Sequence, residues 1–325
     1  MLTGCDSKFL IHTDFVTEAS RQGIVVSSLR NRALLRGIAD CFIKAIQEFC
    51  QHPTLQYQWM RWLPQRNTYP WDEFWLSLLE RIETRMAGVK VLRTLVSGQL
   101  KYINNVCRLQ SWLRDENGDP LFLDLDEEMY LAKEYTEDDL KLLEPYGLCN
   151  ADALAMIKRI ERDLAKNSKI SRMKSPDTDD QWHSLAARAL LKLEGLFVFP
   201  SVSIRLNNLK LIPLGNGKWV SPSSDRLYYS HSEQLAIPED LPLKLVDPDA
   251  SSNPDRRALF DKLGVVEALV KDVRTLIMEK QAVPWADIDV LSASVAHLQF
   301  LYLSESLLEE GEVPTRLKGL RVYNH

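Results

Sequence analysis

Residues 9–26 read "FLIHTDFVTEASRQGIVV". Two apolar runs are joined by a polar turn, Thr17–Gly23, and the turn carries a fixed cation, Arg21. A long helical pattern follows at once. Alternating apolar residues over 8–12 predict a short strand. Ser27 or Ser28 suits the N-cap of the helix behind the turn, because a hydroxyl there accepts from a first-turn N–H. Leu29, Ala33, Leu34, Ile38, Cys41, Phe42, Ala45, Ile46 and Phe49 then recur at helical spacing, and Pro53 stops the run.

Working outward, "TLQYQWMRWL" (54–63) predicts a second helix, ended by Pro64. Pro70 suits the first turn of a third helix that runs to about Gly88. Residues 89–125 change character, with strand-like patches around "SGQ". The Asn117-Gly118 turn signal of "RDENGDPLFL" precedes a further short strand. Residues 126–195 are mainly helical: "TEDDLKLLEPYG", then Asn150–Ala165, then "DDQWHSLAARALLKLEG", with Lys166–Asp180 as an exposed loop. The clearest β signal is "LKLIPLGNGKWV" (209–220), where Gly215-Asn216-Gly217 separates two apolar runs as in a hairpin. "RLYYS" adds a strand. The Pro-, Asp- and Ser-rich stretch 238–256 reads as a loop or linker. "RALFDKLGV", "VEALVKDVRTLIMEK" and "SASVAHLQFLYLSESLLEE" read as helices. A lone apolar strand, "LKGLRVYNH", closes the chain. Strands at both ends without hairpin mates give the chain the look of a piece cut from a longer polypeptide.

The expected fold class is mixed α/β (α+β). Its organisation is a first segment, 1–88, holding the Ser-Arg-Gln turn and its helices, and a helix-rich α+β region, 89–325. The 325 residues suffice for a large core, and 45% apolar with 26% charged is an ordinary globular balance. A net charge of −5 speaks against a general nucleic-acid binder, which needs a basic excess. No apolar run reaches membrane-spanning length, and no basic-then-apolar leader opens the chain, so neither a membrane partner nor secretion is expected. Five widely spaced cysteines without a CxxC read as reduced, buried thiols of a cytoplasmic or nuclear protein.

Few residues carry chemistry. Arg21 has two readings. A guanidinium near a helix N-terminus is disfavoured by about 0.3–1 kcal/mol unless an anion is close. Ser20, Gln22 and the backbone N–H groups nearby would suit a phosphate. The other reading is a solvated arginine paired with Asp14 or Glu18. None of the six histidines has metal-ligand spacing; His183 beside Asp179 and Asp180 reads as a surface cluster at a helix start, and His297 as a satisfied, half-buried side chain. Trp59, Trp62, Trp71 and Trp75 read as core packing between adjacent helices. Asp124, Asp126, Glu127 and Glu128 read as a solvated face. Gly215–Lys218 lacks the phosphate-loop pattern, and no nucleophile has a recognisable base.

The stretch "DFVTEASRQGIVVSSLRNRALLRGIADCFIKAIQEF" resembles the middle-domain segment of the ninety-kilodalton heat-shock chaperones. There a Ser-Arg-Glu turn precedes a long helix, and its arginine reaches the γ-phosphate of ATP in the N-terminal ATPase domain. The matching positions are Ser20, Arg21 and Gln22, with Gln22 in place of the acid. A closer resemblance is to the sacsin-like and "no vein"-like proteins, histidine-kinase-type ATPases common in fungi, with their "KFLI–ADF–ASR–DI" segment. The chain has Lys8-Phe9-Leu10-Ile11, Asp14-Phe15, Ala19-Ser20-Arg21 and Gly23-Ile24; Gly23 stands where that family has an acid. "HPTLQYQWMRWLP" (52–64), "RDENGDPLF" (114–122), "YTEDDLKLLEPYGL" (135–148), "WHSLAARALLKL" (182–193) and "LKLIPLGNGKWVSP" (209–222) match in the same order.

The family's N-box asparagine and acid, DxGxG turn and glycine-rich lid have no counterpart here. The resemblance therefore implies the non-catalytic middle portion of such an ATPase: a divergent short protein or a fragment, not itself an enzyme. It implies Arg21 as a γ-phosphate contact supplied in trans, supported by Ser20 and Gln22. No cofactor is expected in this chain; ATP and magnesium would be held by a separate histidine-kinase-type ATPase domain. That domain and client proteins are the partners implied. The competing expectation is a non-enzymatic interaction scaffold in which Arg21 is structural.

Overall fold

A computed structural model describes residues 9–65, 73–196, 200–232, 235–282 and 290–307. The fold is mixed α/β, with helices predominating and short strands gathered in small sheets. It divides into two compact units, residues 1–111 with 123–156, and 112–122 with 157–325. The described residues up to 88 lie within the first unit.

In the first unit, α1 (Leu29–Phe49) begins at Ser28, whose hydroxyl oxygen accepts from the Asn31 N–H at 3.4 Å. It packs against α2 (Glu73–Met86). Leu35, Ala39, Phe42 and Ile46 of α1 meet Phe74, Leu78 and Ile82 of α2 in the core, which also takes in Trp59, Leu63 and Leu92. β1 (Leu92–Arg93) and β2 (Leu100–Lys101) form an antiparallel hairpin around the expected "SGQ" turn, where Gly98 has φ 62°. β3 (Val106–Arg108) is the middle of a parallel three-stranded sheet between β4 (Met129–Tyr130) and β5 (Cys149–Asn150). α3 (Glu137–Lys141) is capped by Thr136, and α4 (Ala153–Leu164) carries the chain onward.

Three expectations change here. Residues 9–12 form no strand. They alternate in burial like one, but Phe9 and Ile11 lie on the α1 core, with the Phe9 and Phe42 rings 4.9 Å apart, and they belong to no ladder among the described strands. Residues 54–63 are turns and a 3-10 helix, Trp59–Trp62, rather than an α-helix. The tight turn sends consecutive Trp59 and Met60 inward while Arg61 grips buried Asp139 through two N–H groups, at 2.6 and 2.8 Å. The thiols are not all buried: Cys50 and Cys107 are, whereas Cys41 and Cys149 are exposed, Cys41 because it faces outward from α1. Of the tryptophans, Trp59 is core, Trp62 and Trp75 are half-buried against Phe49 and Phe15, and Trp71 lies outside the described residues.

In the second unit, the Asn117-Gly118 turn is present with Gly118 at φ 76°, and Arg114 and Pro120 bridge behind it. α5 (Asp180–Leu196) and α6 (Pro200–Asn208) precede the hairpin of β6 (Ile212–Pro213) and β7 (Trp219–Val220), which turns at Gly217, φ 76°, as its Gly-Asn-Gly signal predicts. β8 (Leu227–Tyr229) follows, then the β9 (His231–Ser232) and β10 (Leu235–Ala236) pair. β11 (Lys244–Val246) pairs parallel with β8. α7 (Pro248–Ser252), α8 (Pro254–Lys262), α9 (Val270–Ala282) and α10 (Val290–Leu303) complete the unit. One core gathers Ile212, Leu227, Tyr229, Val246 and Phe260; another gathers Ile237, Val273, Ile277 and Phe300.

Residues 238–256 are thus no linker. Their Asp, Asn and Pro are helix-start chemistry: Asp247 and Asn253 accept from first-turn N–H groups, and Pro248 and Pro254 occupy first helical positions. Nor is 166–180 simply exposed. The buried Asp163 carboxylate accepts from the Ser171 hydroxyl and the Arg172 and Met173 N–H groups at 2.8–3.0 Å, and draws Ser171 and Met173 inside. The expected closing strand lies outside the described residues. No described helix is long and apolar enough to cross a membrane.

Candidate functional site

The Arg21 turn is built as a closed loop on the N-terminus of α1. Thr17 and Ile24 bridge antiparallel at its neck. Glu18 N–H donates to the Gly23 carbonyl at 3.0 Å, and Val25 N–H to the Val16 carbonyl at 3.0 Å. Arg21 N–H donates back to the Glu18 carbonyl at 2.8 Å, and Gln22 N–H to the Ser20 hydroxyl oxygen at 3.3 Å. Ser20, Arg21 and Gln22 are all exposed, so the three expected residues stand together at the loop tip.

Asn31, which the sequence reading passed over, holds the neck. It is fully buried in the first turn of α1. Its Oδ1 accepts from Val16 N–H at 2.8 Å, and its Nδ2 donates to the carbonyls of Val16 at 2.8 Å and Val25 at 3.0 Å. Backbone polar groups near a helix start need partners, and one amide meets three of them, sharing the Val16 carbonyl with the Val25 N–H. The signal in the sequence is a polar residue on the inward face, a turn ahead of Leu35.

Arg21 has φ 56°, the left-handed region, and is the only non-glycine residue there among the described residues. A side chain at such an angle costs on the order of 1–2 kcal/mol. Neither Asp14 nor Glu18 pairs with its guanidinium, and no other described residue does. Glu18 instead folds over Gly23: a Cβ at position 23 would lie 2.9 Å from its carboxylate. The carboxylate thus reaches, from across the loop, the space an acid at 23 would occupy. Arg21→Gly is expected to raise stability by roughly 0.5–1 kcal/mol, as relief of the strained angle outweighs the added freedom of the unfolded chain; chemical denaturation measures it.

α1 itself shows no acid in its first turn, where Arg30 and Arg32 lie, so nothing in that turn offsets the positive end of its dipole.

The remaining candidates are buried or hydrogen-bonded within the fold. His183 is buried in the first turn of α5 rather than on the surface, because α8 packs over α5 there. Burial, helped by Arg256, lowers its pKa to about 4. No cluster of three metal-ligating side chains occurs among the described residues. His297 is fully buried, between Gln281 at 2.9 Å and Asp240 at 3.0 Å. Asp124 does not simply face water; it accepts from the Tyr130 N–H at 2.7 Å. Cys50 donates to the Val91 carbonyl, and burial pushes its thiol up to about 12, too high for a nucleophile. Comparison with family models, with curated proteins and with solved structures finds no match.

Proposed function

We propose that the chain is the non-catalytic middle portion of a sacsin-like, chaperone-related ATPase, and that Arg21 is its contribution to the chemistry. One observation carries this reading. An exposed arginine without an ion pair to any described residue is held at a strained backbone angle, in a loop whose neck is fixed by a buried amide. Strain of this kind persists where surrounding structure over-determines it, and it concentrates at ligand-contacting positions. The resemblance at Ser20–Gln22 supplies the ligand class: the γ-phosphate of ATP bound to a histidine-kinase-type ATPase domain.

In this role the guanidinium offers two N–H groups to phosphate oxygens whose charge shifts as the phosphoryl group passes to water. The strained loop keeps the side chain off its own carboxylates, so no internal ion pair has to break first. ATP and its magnesium belong to the partner domain. Client proteins are a second partner class under this reading.

The test supplies a family ATPase domain in trans. Wild-type chain is expected to accelerate ATP hydrolysis, and Arg21→Ala to abolish that acceleration while still binding the domain. Arg21→Lys keeps the charge but loses the planar fork, and is expected to restore only part. No acceleration by wild type, or equal acceleration by wild type and Arg21→Ala, would leave an interaction scaffold with a structural arginine.

A further inference from the structure

The apolar positions of α1 cover more than the face the core uses. Leu35, Ala39, Ile43 and Ile46 point inward, while Gly37, Cys41 and Ala45 are exposed and Leu34 is half-buried. Leu34, Gly37, Cys41 and Ala45, with the segment 9–13, line an open groove of about 440 Å³. Leu10, at its edge, is 92% exposed.

Along this outer face, Arg30, Leu34, Gly37, Cys41, Lys44 and Glu48 recur at alternating steps of four and three, the spacing by which one helix presents a seam to another. The seam is self-complementary in one orientation. A two-fold axis at the level of Ala39 sets two copies of α1 antiparallel. Arg30 then faces Glu48 of the second copy, Leu34 lies under the aliphatic stem of Lys44, and Gly37 meets Cys41. Both ends of the seam close with opposite charges, and neither Arg30 nor Glu48 has an ion pair with a described residue. Gly37 supports the same arrangement. A glycine inside a helix costs about 1 kcal/mol against alanine, yet a Cβ there would meet nothing within 4 Å among the described residues. A second backbone passing close over the helix gives that position a use.

We propose that the outer face of α1 is an isologous interface between two copies of this chain, antiparallel about Ala39, closed at each end by Arg30 and Glu48. This does not rest on the Arg21 reading. A single helix pair buries a small area, so the dimer is weak and concentration-dependent.

Sedimentation velocity of the full chain over a wide concentration range tests it. Wild type is expected to pass from monomer to dimer. Arg30→Glu and Glu48→Arg place like charges at both ends, and each is expected to weaken the dimer about tenfold, while the double reversal recovers most of the loss. Both positions are exposed on the helix surface, and circular dichroism checks that each variant folds. In a Cys5→Ser/Cys149→Ser background, a short bismaleimide is expected to link Cys41 across the two-fold. A wild type that stays monomeric at every concentration overturns the proposal. So does a dimer indifferent to the single reversals, one the double reversal does not recover, or a failure of Cys41 to link.

Discussion

Asn31→Ala is expected to lower the unfolding free energy by about 3 kcal/mol and to open the Arg21 loop. The side chain makes three hydrogen bonds from a fully buried position, to both polar groups of Val16 and to the carbonyl of Val25. Each is worth about 1 kcal/mol net, and a buried group left without its partner costs more. Asn31→Asp is expected to be worse, because it sets a carboxylate against two carbonyl oxygens. Denaturant melts give the free energies. Hydrogen exchange separates local from global effects: the N–H groups of Glu18 and Val25, both closed across the loop neck, should lose protection well before those of α1. A variant that loses global stability while these two amides stay protected would show that Asn31 does not hold the neck. If Arg21 acts on a phosphate, the loosened loop also predicts weaker ATPase acceleration at unchanged domain binding, since the guanidinium is present but no longer fixed.

What the sequence could and could not reveal follows from the range of the forces involved. Features set by local chemistry were legible. Ser28 as a cap, the Gly215–Gly217 hairpin, the Asn117-Gly118 turn and the spans of α1, α4 and α5 depend on residues within one or two turns of each other. The three residues expected at the loop tip are likewise neighbours in the chain. Features set by distant partners were not. Residues 9–12 alternate like a strand because one helix face receives every second side chain, and only the tertiary structure shows that no ladder exists. Asp163 reaches eight to ten residues ahead to draw 171–173 inward, which polarity alone read as a solvent loop. The 238–256 stretch misled for a different reason: Asp-Pro and Asn-Pro mark helix starts as well as loops, and the strand within it, Lys244–Val246, finds its mate seventeen residues back, at Leu227–Tyr229. The left-handed angle at Arg21 carried no signal at all, since nothing about an arginine announces it.

Acid is expected to unsettle the second unit through His183. His183 is 8% exposed, and its pKa is lowered from 6.5 to about 4, first by burial and then by Arg256; Asp180 and Asp179 pull the other way but more weakly. Because the folded value lies below the unfolded one, the unfolded chain binds the proton more readily. The stabilising difference is fully present above about pH 6.5 and is lost as pH falls toward 4. A shift of that size corresponds to about 3 kcal/mol. Wild type shows this loss on top of the titration of its carboxylates, so the informative quantity is the difference from a variant without the group. His183→Gln keeps a polar side chain of similar length and cannot charge. Its stability is expected to fall short of wild type at neutral pH, by the packing lost around Trp182, and to overtake wild type below about pH 5. The sign of that crossing discriminates: a histidine stabilised by Asp179 and Asp180 in its charged form would give the opposite trend, with the variant losing ground as pH falls. Parallel denaturation curves at neutral and acid pH are sufficient to decide it.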